Sequence, residues 1–235
     1  MGGYFGAVSK RDVTMDVFYG TDYHSHLGTK RGGMALWERD KGFDREIHNI
    51  ENSPFRTKFE NDIDKMSGTS GIGCISDSDP QPLLIHSNHG TYAVCFVGKI
   101  NNADALMKHF LAFSGGHFDA MTGGRINTTE LLASLVDQKT DFISGLRFAQ
   151  DEIEGSASIL ILKEDGSILA SRDKLGRTPM LIGKDSEGHA VAFESFAYEK
   201  LGYETVYELG PGEIVEITPE GIEVKSPARD RKCIC

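Results

Sequence analysis

The residues whose types and spacing could support attack or ligation form a few small, loosely spaced groups. His24-Ser25-His26 and the pair His86 and His89 offer four imidazoles, yet no complete metal-ligand spacing joins them, so turn or surface histidines are the simpler reading and no metal is expected. Asp77 and Asp79 precede Pro80, where two carboxylates could hold a hard cation but more readily describe a solvated loop. Cys74 lies in an apolar run, and a thiol on a buried strand is more often inert than nucleophilic. Removing Met1 would expose Gly2, whose α-amine can accept a proton but which has no side chain to attack with.

These residues need a framework, and the composition can supply one. With 235 residues, 39% of them hydrophobic, the chain can bury a substantial core as one large domain. A formal charge of −10 and the lack of a dense Lys/Arg run argue against nucleic acid as a partner. No apolar stretch is long enough to span a bilayer and no secretory leader stands out, so a cytoplasmic location is the default expectation. Gly6 replaces the Ser or Thr that myristoylation at Gly2 would want. Cys74, Cys95, Cys233 and Cys235 make no convincing disulfide framework, so reduced thiols are expected.

The hydrophobic periodicity predicts an α+β layout. Tyr4 to Val8, Ser70 to Ile75 and Tyr92 to Gly98 read as buried strands, the last two as neighbours in one sheet. Val13 to Trp37 mixes a short helix with a glycine-rich turn at Thr29 to Gly33, and the polar run of Asn52, Ser53 and Pro54, then Lys58 to Lys65, reads as a solvent-facing loop or irregular connection. Helices are predicted after Asn101 and Asn102 up to Gly115-Gly116, after Thr128, and from Asp141 to Gln150. Hairpins follow: Ala157 to Ala170 around Asp165-Gly166, Met180 to Phe193, and Glu213 to Val224. Central helices between strand-rich ends point to a layered domain rather than a β-α-β repeat.

Several strings, in order, carry a resemblance: Met1 to Gly6, Lys30-Arg31-Gly32, Gly71-Ile72-Gly73, Val97 to Asn102, Ser171 to Met180, Gly183-Lys184, Phe193-Glu194-Ser195 and Leu209 to Glu213. Together they resemble the class II glutamine amidotransferase family, in the form found in glutamine phosphoribosylpyrophosphate amidotransferases. The resemblance spans nearly the whole chain and implies the four-layer αββα N-terminal-nucleophile hydrolase fold, with two antiparallel sheets between helical layers. It also implies that residues 1–235 are one glutaminase-like domain, with a C-terminal phosphoribosyltransferase-like domain outside this sequence.

In that family an amino-terminal cysteine attacks the side-chain amide of glutamine, ammonia leaves, and water later releases glutamate. The resemblance places Gly2 at the cysteine's position, while Arg31 and Gly32 match one border of the pocket. Where the family has an arginine and a tyrosine after Gly-Ile-Gly, this chain has Cys74, Ile75, Ser76 and Asp77, and an acid there would repel a substrate carboxylate. The oxyanion-hole asparagine-glycine pair corresponds to Val97-Gly98, and valine has no side-chain donor. The family's aspartate after two threonines has no counterpart beside Thr128-Thr129.

The resemblance therefore implies a glutaminase-derived domain that has lost glutamine hydrolysis and serves as a scaffold or partner-contact module. The alternative keeps the family role, releasing ammonia from glutamine for purine synthesis, and a second alternative is a repurposed ligand-binding or hydrolase pocket. Arg172, Asp173 and Arg177 form either a junction surface toward an attached domain or a salt-bridged hairpin. Cys233 and Cys235 fall where some relatives ligate an iron-sulfur cluster, but two thiols do not complete such a site and no cofactor is expected. The expected partners are a phosphoribosyltransferase-like domain or a separate protein, with a homo-oligomer as the base-rate assembly.

Overall fold

The computed structural model of the chain describes residues 2–113, 118–122 and 124–230. Strand β1 (Gly2–Ser9) is buried along its whole length, as expected of a strand covered on both faces. Helix α1 (Thr14–Asp22) and a 3-10 turn (Ser25–Leu27) lead into the hairpin of β2 (Arg31–Glu38) and β3 (Gly42–Asn49). Helix α2 (Phe55–Ile63) and strand β4 (Ser70–Ser76) follow, then the hairpin of β5 (Leu83–Ser87) and β6 (Gly90–Ile100). Next come α3 (Ala103–Phe113), a ribbon of β7 (Met121–Thr122) and β8 (Arg125–Ile126), then α4 (Thr128–Val136) and α5 (Phe142–Glu152). The hairpin of β9 (Gly155–Lys163) and β10 (Ile168–Ser171) precedes β11 (Leu181–Lys184), β12 (Gly188–Ala192) and α6 (Ser195–Glu199). Strands β13 (Glu204–Glu208), β14 (Ile214–Ile217) and β15 (Ile222–Ser226) complete the described chain.

Two antiparallel sheets form the centre: a seven-stranded sheet in the order β13-β11-β12-β1-β4-β2-β3 and a six-stranded sheet in the order β15-β14-β10-β9-β6-β5. Alternate residues of each strand face opposite sides, which sorts the apolar residues into three cores. Tyr4, Cys74, Cys95, Leu160, Val191 and Val215 pack between the sheets. Phe5, Val17, Met34, Phe55, Phe59 and Tyr198 join α1, α2 and α6 to the outer face of the larger sheet. Val94, Leu132, Leu146 and Ile161 do the same for α4 and α5 on the smaller one. The result is the expected four-layer αββα arrangement.

Three expectations need correction. The polar stretch read as an irregular connection contains α2, because Phe55 and Phe59, four residues apart, share one helical face and stack at 4.3 Å between ring centroids. Burying two such rings stabilises by roughly 1.5–3 kcal/mol each, enough to hold a helix that is otherwise polar. Arg31-Gly32-Gly33 is the start of β2 and not part of a turn. Strands β4 and β6 are not neighbours in one sheet, but belong to opposite sheets that face each other across the central core. Gly115-Gly116, expected to end α3, lies outside the described residues.

Candidate functional site

Strand order puts three chemically interesting positions in one row. Ser76, at the end of β4, lies in register with Gly2 on one side and Arg31 on the other. Gly2 has the same parity as Tyr4, which faces the central core, so the row opens toward the space between the sheets. The backbones are tight here: a Cβ on residue 2 would lie 2.4 Å from the Ile75 carbonyl oxygen, so any side chain requires a shift of the strand. Ser76 is 4% exposed, and its Oγ is 3.3 Å from Ser78 Oγ. Arg31 is half-buried and its Nη1 donates to Lys30 O at 3.1 Å, while Gly32 packs beneath Phe55.

The loop after β4 ties this row to the other sheet. Asp77 Oδ1 accepts the Thr29 amide at 2.7 Å. Burial works to raise the Asp77 pKa, but hydrogen bonds, that of the Thr29 amide among them, hold it below the usual carboxylate value. Asp79 faces elsewhere: its Oδ2 accepts from the backbone N–H of Thr128 at 2.9 Å and from the Thr128 hydroxyl, securing the first turn of α4. Gln81 makes a two-way bridge to β6, donating to Phe96 O at 3.0 Å and accepting from Phe96 N at 2.9 Å. The next residue on β6, Val97, packs in the central core with Tyr4 and Cys74. Gly98 has φ 151°, and a Cβ there would meet Ser156 O at 2.0 Å, a close approach that only glycine allows.

Cys74 and Cys95 face each other across the central core, both fully buried. A hydrogen bond with Cys95, reinforced by burial, pushes the Cys74 thiol well up, so it stays neutral and is a poor nucleophile. Tyr4 is buried as well, donates to Pro179 O at 2.5 Å, and is kept neutral by burial.

The four histidines flagged by spacing do not converge. His24 is buried against the outer face of β1 and donates from Nδ1 to Gly20 O at 2.7 Å; burial lowers its pKa to about 4. His26 sits 3.0 Å from Glu194. His86 and His89 belong to the β5–β6 hairpin of the other sheet, where His86 Nδ1 meets Thr91 Oγ1 at 2.9 Å. Asp77 and Asp79 likewise have separate partners.

Arg172 and Asp173 are interior groups. Arg172 is 6% exposed and donates to the carbonyls of Thr178, Gly176 and Leu209, and Asp173 accepts from the amides of Leu175 at 2.9 Å and Thr178 at 3.0 Å. Together they fold the loop that carries Arg177, which is exposed. Cys233 and Cys235 lie outside the described residues.

Ser76 and Gln81 are the positions that periodicity alone did not single out. The signal for Ser76 is the strand register, which places it between Gly2 and Arg31, and that for Gln81 is its pair of hydrogen bonds to Phe96; both exist only once the chain is folded.

Residues 71–198 match the model of a family described as a glutamine amidotransferase domain. The chain is 28% identical over 229 residues to an amidophosphoribosyltransferase of Methanocaldococcus jannaschii, covering 92% of this chain and 47% of the relative. It is 25% identical over 232 residues to the Bacillus subtilis amidophosphoribosyltransferase, covering 94% and 47%. A solved B. subtilis glutamine phosphoribosylpyrophosphate amidotransferase, complexed with ADP and GMP, superposes with a TM-score of 0.82 at 24% identity, over 95% of this chain and 48% of that one. The chain thus spans about half the length of the relatives it matches.

Proposed function

The chain belongs to the glutamine amidotransferase domain family, and on that premise we propose that it is the glutaminase-type half of an amidophosphoribosyltransferase-type protein, in which residue 2 no longer supplies the attacking group. The first part rests on the extent of the likeness, which runs over nine-tenths of the chain to proteins about twice as long. By the same likeness, a phosphoribosyltransferase-like domain is the natural partner and the cytoplasm the natural setting.

The second part rests on one observation: a strand so close to Ile75 O at residue 2 that a side chain cannot be added without a shift. Amide hydrolysis by the family route needs a covalent nucleophile and donors for the developing oxyanion. Glycine offers no nucleophile, Val97 offers no side-chain donor, and Asp77 brings a negative charge to the loop beside the row. On this reading the half acts as a scaffold or contact surface for its partner domain.

A second reading keeps the relatives' reaction, with ammonia from glutamine passed to a phosphoribosyl group, and the same likeness favours it. It requires an attacking group other than residue 2, and the Ser76 hydroxyl, in register with Gly2, is the best placed. A glutamine analogue bearing an electrophilic diazoketone, followed by peptide mass mapping, separates the two. No adduct is expected. A stoichiometric adduct on Ser76, protected by glutamine, would establish the second reading.

A further inference from the structure

We propose that Glu46, His48 and Asp62 form a binding site for a zinc-type divalent ion, which joins edge strand β3 to helix α2. Glu46 and His48 are two residues apart on β3 and therefore share a face. That face meets α2, because the His48 ring stands edge-on to Phe59 at 4.7 Å and 90°. Asp62 follows Phe59 by three residues, on the same side of the helix. The ligand atoms of all three residues lie within 4.8 Å of one another.

An ordinary ion pair accounts for two of the three groups. His48 Nε2 meets Asp62 Oδ2 at 2.6 Å, but Glu46 brings a second carboxylate to the same imidazole and has no hydrogen-bond or ion-pair partner among the described residues. Two carboxylates this close repel unless a cation lies between them. Zinc bonds of about 2.0–2.2 Å would set tetrahedral donors roughly 3.3–3.6 Å apart, so the His–Asp contact need open by only about an ångström. One imidazole and two carboxylates suit zinc or cobalt, whereas magnesium and calcium prefer an all-oxygen shell. The His48 and Asp62 side chains are 30% and 22% exposed, which leaves an entry path and room for a water as fourth ligand. The cluster is on the outer face of the larger sheet, across the sheet from the Gly2 row, so it acts by bracing β3 on α2.

The test is calorimetric titration of the full chain with Zn²⁺ at neutral pH, in a Cys233→Ser/Cys235→Ser background that removes the other thiol pair. One equivalent bound in the micromolar range or tighter is expected, weakened at least about tenfold in Glu46→Gln and lost in His48→Ala. Bound Co²⁺ should give the visible absorption of nitrogen and oxygen ligation. Failure of the parent to bind Zn²⁺, or equal binding by the parent and His48→Ala, overturns the site. Equal binding by the parent and Glu46→Gln reduces the cluster to a His–Asp pair and overturns it too. Circular dichroism checks the fold, and if His48→Ala is unfolded the Glu46→Gln titration decides.

Discussion

At residue 2 the β1 backbone runs so near Ile75 O that even a methyl group must displace it, and the neighbouring polar groups are a serine, an arginine and an aspartate rather than a cysteine with oxyanion donors. The same close packing makes His24 informative. It is buried on the outer face of β1 with its pKa lowered to about 4, against 6.5 in an unfolded chain. Between those values the unfolded chain binds a proton that the folded chain refuses. The stability contribution is therefore complete above pH 6.5 and lost as the pH falls to about 4. The loss should be on the order of 3 kcal/mol. Urea unfolding across this range should show it in the wild type and a flatter profile in His24→Phe; equal slopes would remove His24 as the cause.

Among the elements, α4 and the loop after β10 are each secured by a small set of polar side chains. Asp79 holds the first turn of α4 through Thr128, so Asp79→Ala should cost about 1 kcal/mol and lower Tm by roughly 2–4 °C. An unchanged Tm would mean that Asn127, which also caps this helix, suffices alone. Arg172→Ala would leave three carbonyls without their donor and should cost about 2–4 kcal/mol, while Arg177→Ala at the exposed tip should stay within about 0.5 kcal/mol. Equal effects would contradict the interior role of Arg172. The β9–β10 hairpin was legible in the sequence because Asp165-Gly166 sits between two continuous apolar runs, and α4 was legible from its leucines. Helix α2 was not, since two phenylalanines in a polar stretch give a weak periodic signal. The partnership of Gly2, Ser76 and Arg31 was not legible either, because it depends on which strands pair, and a strand's own pattern does not name its neighbours.

For the whole molecule, strands β1, β4 and β2 of the larger sheet bring Gly2, Ser76 and Arg31 into one row within a four-layer fold, and three buried apolar cores hold that fold. The sandwich is stabilised by buried apolar area and not by that row, so a fold of this kind keeps its architecture whatever chemistry the strand end carries. Among the described residues, no helix is long and apolar enough to cross a membrane. The central claim, that residue 2 does not supply an attacking group and that the pocket no longer compensates, is tested most directly by the time course of glutamate formation from glutamine. The native-length protein and its Gly2→Cys variant should be compared side by side. The expected result is no glutamate above the blank from the native protein and little recovery in the variant, because Cβ at residue 2 meets Ile75 O and Val97 supplies no oxyanion donor. Sustained turnover by the native protein would contradict the account and require a nucleophile elsewhere in the row.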